Sequence, residues 1–173
     1  MHTQAQPQEW VQKFVEDRAF GWQAEDELIR RLALLNITAH RNPATDLEGK
    51  QKNDILIDSS PYPWFVKAGD SIEVKTDRKW PKTGNVAVEW AALKHSTADH
   101  VAYFMSDTFF IQTRRDLMIT CYANHIRFKR YRETRGGDWS DLLTLILVQE
   151  FIEPCKVLRR LPNDNDIRIS KAA

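Results

Sequence analysis

The sequence predicts an α/β fold, a helix followed by a run of strands, and three observations carry that reading. Apolar residues recur at threes and fours from Gln8 to Leu35, the period of an amphipathic helix. Short runs rich in Ile and Val follow at Asp54 to Asp58, Ser71 to Thr76 and Val86 to Ala91, separated by loops that hold Pro61, Pro63, Pro81 and Gly84; such punctuation marks strands. The length of 173 residues, 42% hydrophobic and 28% charged, suits one ordinary globular domain. Six Trp and eight Phe against six Gly and seven Pro exclude a disordered or low-complexity chain.

The elements follow in order. The first helix carries a stripe of Trp10, Val11, Phe14 and Val15, then Trp22, Leu28, Ile29, Leu32 and Leu35, with Gly21 kinking it or dividing it in two. Asn36 stops it, and Ile37 to Asn42, ending before Pro43, is a short extended piece. Thr45 to Asn53 is polar loop, and the three Ile- and Val-rich runs beyond it form a strand meander. Val101 to Met105 and Phe109 to Gln112 make a further strand pair, and Arg114 to Ala123 has helical spacing through Leu117, Met118 and Cys121. Arg127 to Gly137 reads as an exposed loop or hairpin. Leu142 to Ile152 is apolar enough for a buried strand or a short helix; periodicity does not choose, and a strand is expected. The chain turns polar after Pro154, so one domain over residues 1–162 is expected, with residues 163–173 a flexible tail.

Composition narrows the function classes. No run of 18 apolar residues occurs and the first residues are polar, so neither a transmembrane helix nor a secretion signal is read, and a cytoplasmic protein with no membrane partner is expected. Cys121 and Cys155 stand 34 positions apart among apolar or mixed neighbours; they suit neither a disulfide framework nor a paired-ligand zinc site and read as small buried residues. With 25 basic and 24 acidic side chains, the total charge gives no sign of a polyanion partner, and only the distribution of charge can.

Chemistry concentrates in Ile72-Glu73-Val74-Lys75. Strand alternation puts Glu73 and Lys75 on one face and Ile72 and Val74 on the other. Asp54 opens the preceding strand, just before Ile55-Leu56-Ile57, and pairing of neighbouring strands would bring it within a few ångströms of Glu73. Two carboxylates that close repel unless a hard cation bridges them, and Mg²⁺ takes one or two carboxylates together with waters and phosphate oxygens. Glu25 precedes Leu28, Ile29 and Leu32 on the helix and so lies on its apolar face. Either it points at the same cation site or it pairs with Arg30 or another cation at the rim.

Taken together, Gly21 and Glu25 in a first helix, Arg41 after the short strand, Asp54 on the next and the Glu73-Val74-Lys75 signature after it resemble the PD-(D/E)xK nuclease superfamily. Within it the layout is most similar to Holliday-junction resolvases and small phage-type nucleases. Thr83-Gly84-Asn85-Val86-Ala87-Val88-Glu89 and Ser96-Thr97-Ala98-Asp99-His100-Val101-Ala102-Tyr103 also look like segments of phage-encoded members. The resemblance covers about Gly21 to Ile111, and Asn53 stands where the family name has Pro. It implies a restriction-endonuclease-like domain, a central mixed β-sheet flanked by helices, and Mg²⁺-dependent hydrolysis of phosphodiester bonds, with Mn²⁺ as an alternative metal. Asp54 and Glu73 would ligate the metal, with the Val74 carbonyl as a third ligand. Lys75 would orient or activate the attacking water and stabilise developing charge. Glu25 would complete a second metal position or a water-mediated contact.

Lesser candidates surround this core. Thr76, Asp77, Arg78 and Lys79 form a polar turn that could contact phosphate; Glu89, His95 and His100 lie within reach in sequence; Asp99 reads as structural. Arg127, Lys129, Arg130, Arg132 and Arg135 place five cations against the single acid Glu133, interleaved with Phe128 and Tyr131, as a phosphate-contacting segment needs. The leading expectation is therefore an endonuclease acting on DNA, on branched or structured DNA if the resolvase likeness holds, with RNA as the other nucleic acid. A homodimer would then supply two cuts. The competing expectation, from a different class, is a nuclease-like fold that binds nucleic acid or protein without cutting.

Overall fold

The computed structural model describes residues 6–43, 54–127, 143–160 and 167–171. Helix α1 spans Gln6–Leu34 without a break, so Gly21 does not divide it; no neighbouring atom crowds that position. Its end is set by Asn36 at φ 59°, which lets Ile37 N–H donate to the Leu32 carbonyl and Asn36 N–H to the Ala33 carbonyl, each at 3.0 Å. That is the Schellman closure, and Ile37 packs with Leu32 in the core as the motif favours.

Strands β1 (Thr38–Arg41), β2 (Ile55–Ser59) and β3 (Ser71–Thr76) pair antiparallel in that order. The chain then leaves the sheet through α2 (Trp80–Thr83), β4 (Asn85–Glu89) and α3 (Trp90–His95). It returns as β5 (His100–Met105), parallel to β3, and turns back as β6 (Thr108–Thr113). Positive φ at Ser106 (41°) and Asp107 (61°) closes that hairpin, the geometry that matches strand twist. Helix α4 (Arg114–Arg127), β7 (Leu143–Leu147), α5 (Val148–Ile152), β8 (Lys156–Arg160) and β9 (Ile167–Lys171) complete the described chain. Strand order is β1-β2-β3-β5-β6-β8-β9 in a seven-stranded mixed sheet, with β4 and β7 in a second, two-stranded one. The fold is thus α/β with a central mixed sheet flanked by helices, as the sequence predicts.

Three expectations need correction. The meander does not continue past β3, because β4 pairs with β7 rather than with β3; alternation tells that Val86 and Val88 are buried, not which strand lies beside them. The Leu142 to Ile152 run is half strand and half helix: Thr144 and Ile146 bury at period two in β7, and the chain then coils so that Phe151 buries from α5. Within the expected tail, Ile167–Lys171 is a strand on the sheet edge, with Ile167 and Ile169 packed on the core.

The seven-stranded sheet separates two cores. On one face Leu28 and Leu32 of α1 meet Ile55, Ile57, Ile72, Ala102, Phe109, Ile111 and Leu158. On the other, Val101, Tyr103 and Met105 of β5 meet Val86, Val88, Leu93, Leu117, Cys121, Ile146 and Phe151. Each such aliphatic or aromatic side chain contributes about 1.5–3 kcal/mol. Cys121 and Cys155 are free and buried as expected, their thiols pushed up to about 12 by burial. No helix among the described residues is long and apolar enough to cross a membrane.

Candidate active site

The register of β2 on β3 pairs Ile55 with Ile72, both in the core under α1. Asp54, just before β2, donates its N–H to the Ile72 carbonyl at 3.0 Å, so the regular register ends there and Asp54 lies beside the stretch of β3 that carries Glu73. Glu73 lies beside Val101 and Lys75 beside Tyr103 on β5, so the acid and the amine of the signature look toward the second core. Lys75 Nζ sits 2.7 Å from Glu73 Oε1 and 3.9 Å from Glu89 Oε2. Glu89 ends β4 and caps α3, so two separate strands deliver carboxylates to one ammonium.

Asp54 joins this group to the helix. Val74 N–H donates to Asp54 Oδ2 at 2.6 Å, continuing the ladder with a carboxylate where β2 has ended. Burial raises the Asp54 carboxyl above its ordinary range; the Val74 bond opposes this, Glu73 adds to it and Lys75 counters. Glu25, its side chain 16% exposed, is raised by burial and next by the charge of Asp54. Asp54 therefore feels Glu25 on the helix side and Glu73 with Lys75 on the cleft side. Glu25 pairs with Arg41 Nε at 3.2 Å, whereas Arg30 pairs with Glu27 at 2.6 Å. Arg41 also bonds Asp26 at 2.9 Å and the Trp22 carbonyl at 2.8 Å, clamping the end of β1 to the turn of α1 that carries Glu25. This counter-charge was the part of the site hardest to find from sequence, since nothing local links position 41 to position 25.

Lys75 titrates as a cation. Burial alone would lower its pKa, but the charge and hydrogen bond of Glu73, then Glu89 and Asp54, hold it above the ordinary lysine value. At neutral pH it is a fixed positive charge beside acceptors, which stabilises developing negative charge rather than removing a proton.

The donor set suits a hard cation. Asp54 and Glu73 offer carboxylate oxygens; burial, with a smaller contribution from Glu73, raises Asp54, and a bound divalent ion would favour its charged form against both. The Val74 carbonyl points to the same side of β3 as its N–H, toward Asp54. Among the described residues no group of three His, Cys, Asp or Glu is close enough to cage a metal. Mg²⁺ keeps several waters and takes one or two carboxylates, so Asp54 and Glu73 are the residues that could hold it.

A cleft of about 480 Å³ opens over the pair, with Glu73, Lys75, Asp77, Arg78, Lys79 and Glu89 among the charged residues that line it. Tyr103, which the sequence offers within a strand but not as a site residue, forms part of its wall; burial keeps its hydroxyl protonated, and it donates to the Ala87 carbonyl at 3.4 Å. His100 does not reach the cleft as a leaving-group acid: it is buried and bonded to Asp70 at 2.9 Å. His95, exposed at the end of α3, is not part of the cleft lining. Asp99 is structural, accepting from the Ser71 N–H and hydroxyl, both at 2.9 Å. Partial burial works against it, yet these bonds hold its carboxyl below the usual range. Of the basic segment, Arg127 closes α4, and Lys129, Arg130, Arg132 and Arg135 lie outside the described residues. No family model, curated protein or solved structure matches the chain.

Proposed function

We propose that this chain is a metal-dependent endonuclease that hydrolyses DNA phosphodiester bonds, built on the PD-(D/E)xK plan and directed at branched or structured DNA. The observation that supports it best is the convergence of three groups on one stretch of β3: Asp54 Oδ2 accepts from Val74 N–H at 2.6 Å, and Lys75 Nζ lies 2.7 Å from Glu73 Oε1. The order of elements is consistent with that plan: α1 covers a sheet in which β2 and β3 carry the acids and β3 runs parallel to β5. In this reading Asp54, Glu73 and the Val74 carbonyl hold Mg²⁺ or Mn²⁺, and the metal supplies Lewis acidity toward the phosphoryl oxygen and a more acidic bound water. Lys75 places its ammonium where charge gathers on the phosphoryl group. Glu25, paired with Arg41 at 3.2 Å, holds a further water or cation beside Asp54. Two cuts in a branched substrate call for two copies of the chain.

A second reading draws on one observation: the Glu73–Lys75 pair and the Asp54–Val74 bond satisfy these groups without any cation, as in a binding module that does not cut. Labelled duplex, single-stranded and four-way-junction DNA, incubated with Mg²⁺, Mn²⁺ or EDTA, separates the two. Metal-dependent cutting that disappears in Glu73→Ala supports the nuclease. Binding without cutting, equal in wild type and variant, supports the module.

A further inference from the structure

The turn that follows the signature is more tightly built than a solvated loop requires. One carboxylate, Asp77, organises it: Oδ1 accepts from the N–H groups of Lys79 at 2.8 Å and Trp80 at 3.1 Å, and Oδ2 accepts from Ala87 N–H at 3.0 Å. The turn is thereby tied both to itself and to β4. The Arg78 guanidinium lies 5.1 Å over the Phe20 ring of α1, which secures the other side. Lys79 is exposed and lines the same cleft as Glu73 and Lys75. The charged lining consists of three acids, Glu73, Asp77 and Glu89, and three bases, Lys75, Arg78 and Lys79. Without the cations of the turn, the cleft mouth would repel a polyanion.

We propose that Lys79 binds the DNA phosphate adjacent to the one cleaved, and that Asp77 is the positioning residue that presents it. This rests on the nuclease reading for which phosphate is cut, but not for whether DNA is bound. The test is fluorescence anisotropy of labelled duplex and four-way-junction DNA in EDTA, from about 50 to about 300 mM salt. The proteins compared are wild type, Lys79→Ala, Asp77→Asn and, as a control on the far sheet edge, Lys171→Ala. Each phosphate that the protein ceases to neutralise lowers the slope of log affinity against log salt by about 0.9 on duplex. Lys79→Ala is expected to lose about that much and Lys171→Ala none.

Asp77→Asn removes a negative charge, which by simple electrostatics would tighten binding. If Asp77 positions Lys79, the variant instead loses slope as Lys79→Ala does, because the carboxamide can accept with one atom only. A purely structural role would lower thermal stability and leave the slope alone. Because Lys79 is exposed, its variant tests the subsite even if Asp77→Asn folds poorly. A wild-type slope in Lys79→Ala, or no DNA binding by wild type, overturns the proposal, and tighter binding by Asp77→Asn overturns the positioning role. Slope loss without metal-dependent cutting keeps this subsite and removes the nuclease reading; cutting with unchanged slopes does the reverse.

Discussion

Replacing Lys75 by Met keeps most of the side chain's bulk and removes the ammonium that lies 2.7 Å from Glu73 and 3.9 Å from Glu89. Those carboxylates and Asp54 hold the wild-type amine above the ordinary lysine value of 10.5 against the pull of burial. It therefore stays charged across neutral pH and, on the nuclease reading, would act as preorganised electrostatics. Loss of one such donor from a developing oxyanion costs about 10²- to 10³-fold in rate, about 2.7–4 kcal/mol of barrier. Single-turnover cleavage of a labelled junction at saturating Mg²⁺ measures the loss directly, and a pH series identifies its origin. A fixed cation gives a wild-type profile with no limb assignable to Lys75 below about pH 10. A general base would need a pKa brought down toward neutrality; the rate would then climb with pH in wild type and not in Lys75→Met. Metal-dependent cutting in the variant within about tenfold of wild type, or a climb of that kind, would refute the assignment.

Two further perturbations address stability. Asp54 is raised above its ordinary 3.8, chiefly by burial. From 3.8 up to that raised value the folded chain binds more protons than the unfolded one, so stability falls as pH rises through the window. Asp54→Asn keeps an oxygen for Val74 N–H and loses the charge. Scanning fluorimetry is expected to show no change in Tm below about pH 3.8, a higher Tm at neutral pH, and less stabilisation by Mg²⁺ than in wild type; a variant less stable at neutral pH contradicts this. Arg31 is 0% exposed and bonds Glu27 at 2.6 Å, the Asp107 carbonyl at 2.9 Å, the Leu158 carbonyl at 3.4 Å and the Asp107 carboxylate. Its guanidinium lies over Phe104 and Phe109 at 5.8 and 5.3 Å. Arg31→Ala is expected to cost about 3 kcal/mol in urea unfolding, the low end for a broken buried pair, because Glu27 and Asp107 still reach water. The accompanying fall in Tm is about 6–12 °C, and a loss below about 1 kcal/mol would show that the site relaxes around the deletion.

Short-range periodicity was legible. The helical period of α1, though not its continuity through Gly21, β3 with Glu73 and Lys75 on one face, and the β5–β6 hairpin all follow from patterns within a few residues, where spacing and side-chain direction are coupled by backbone geometry. Partnership was not. Val86 to Glu89 alternates as any half-buried strand does, and nothing in it distinguishes an edge beside β3 from a pairing with β7, which lies more than fifty residues further along the chain. Leu142 to Ile152 hid a strand-to-helix change inside one mostly apolar run, because the less buried positions of β7, Leu145 and Leu147, are as apolar as buried Ile146 and so mask the period. At the site, the antiparallel pairing of β2 with β3 was foreseeable from two adjacent strands. The Arg41–Glu25 clamp depends on how α1 packs across β1, a tertiary fact with no local signature.

The misread partnership is also what makes the cleft. Parallel pairing of β3 with β5 demands a crossover, since no tight turn can join two parallel neighbours. In this chain the crossover is not a single helix but α2, β4 and α3 in succession. It springs from the carboxyl end of β3, immediately after Lys75, where ligands gather in open α/β sheets. Asp77, Arg78 and Lys79 enter at its start, Ala87 and Glu89 at its middle and Leu93 at its end. A meander would have kept β4 flat beside β3 and left Glu73 and Lys75 facing solvent. The crossover instead folds over that face, brings Glu89 to 3.9 Å from Lys75, and encloses the acid and the amine enough to perturb both Asp54 and Lys75. Strand alternation put the signature on one face; the need to cross from β3 to β5 turned that face into a site.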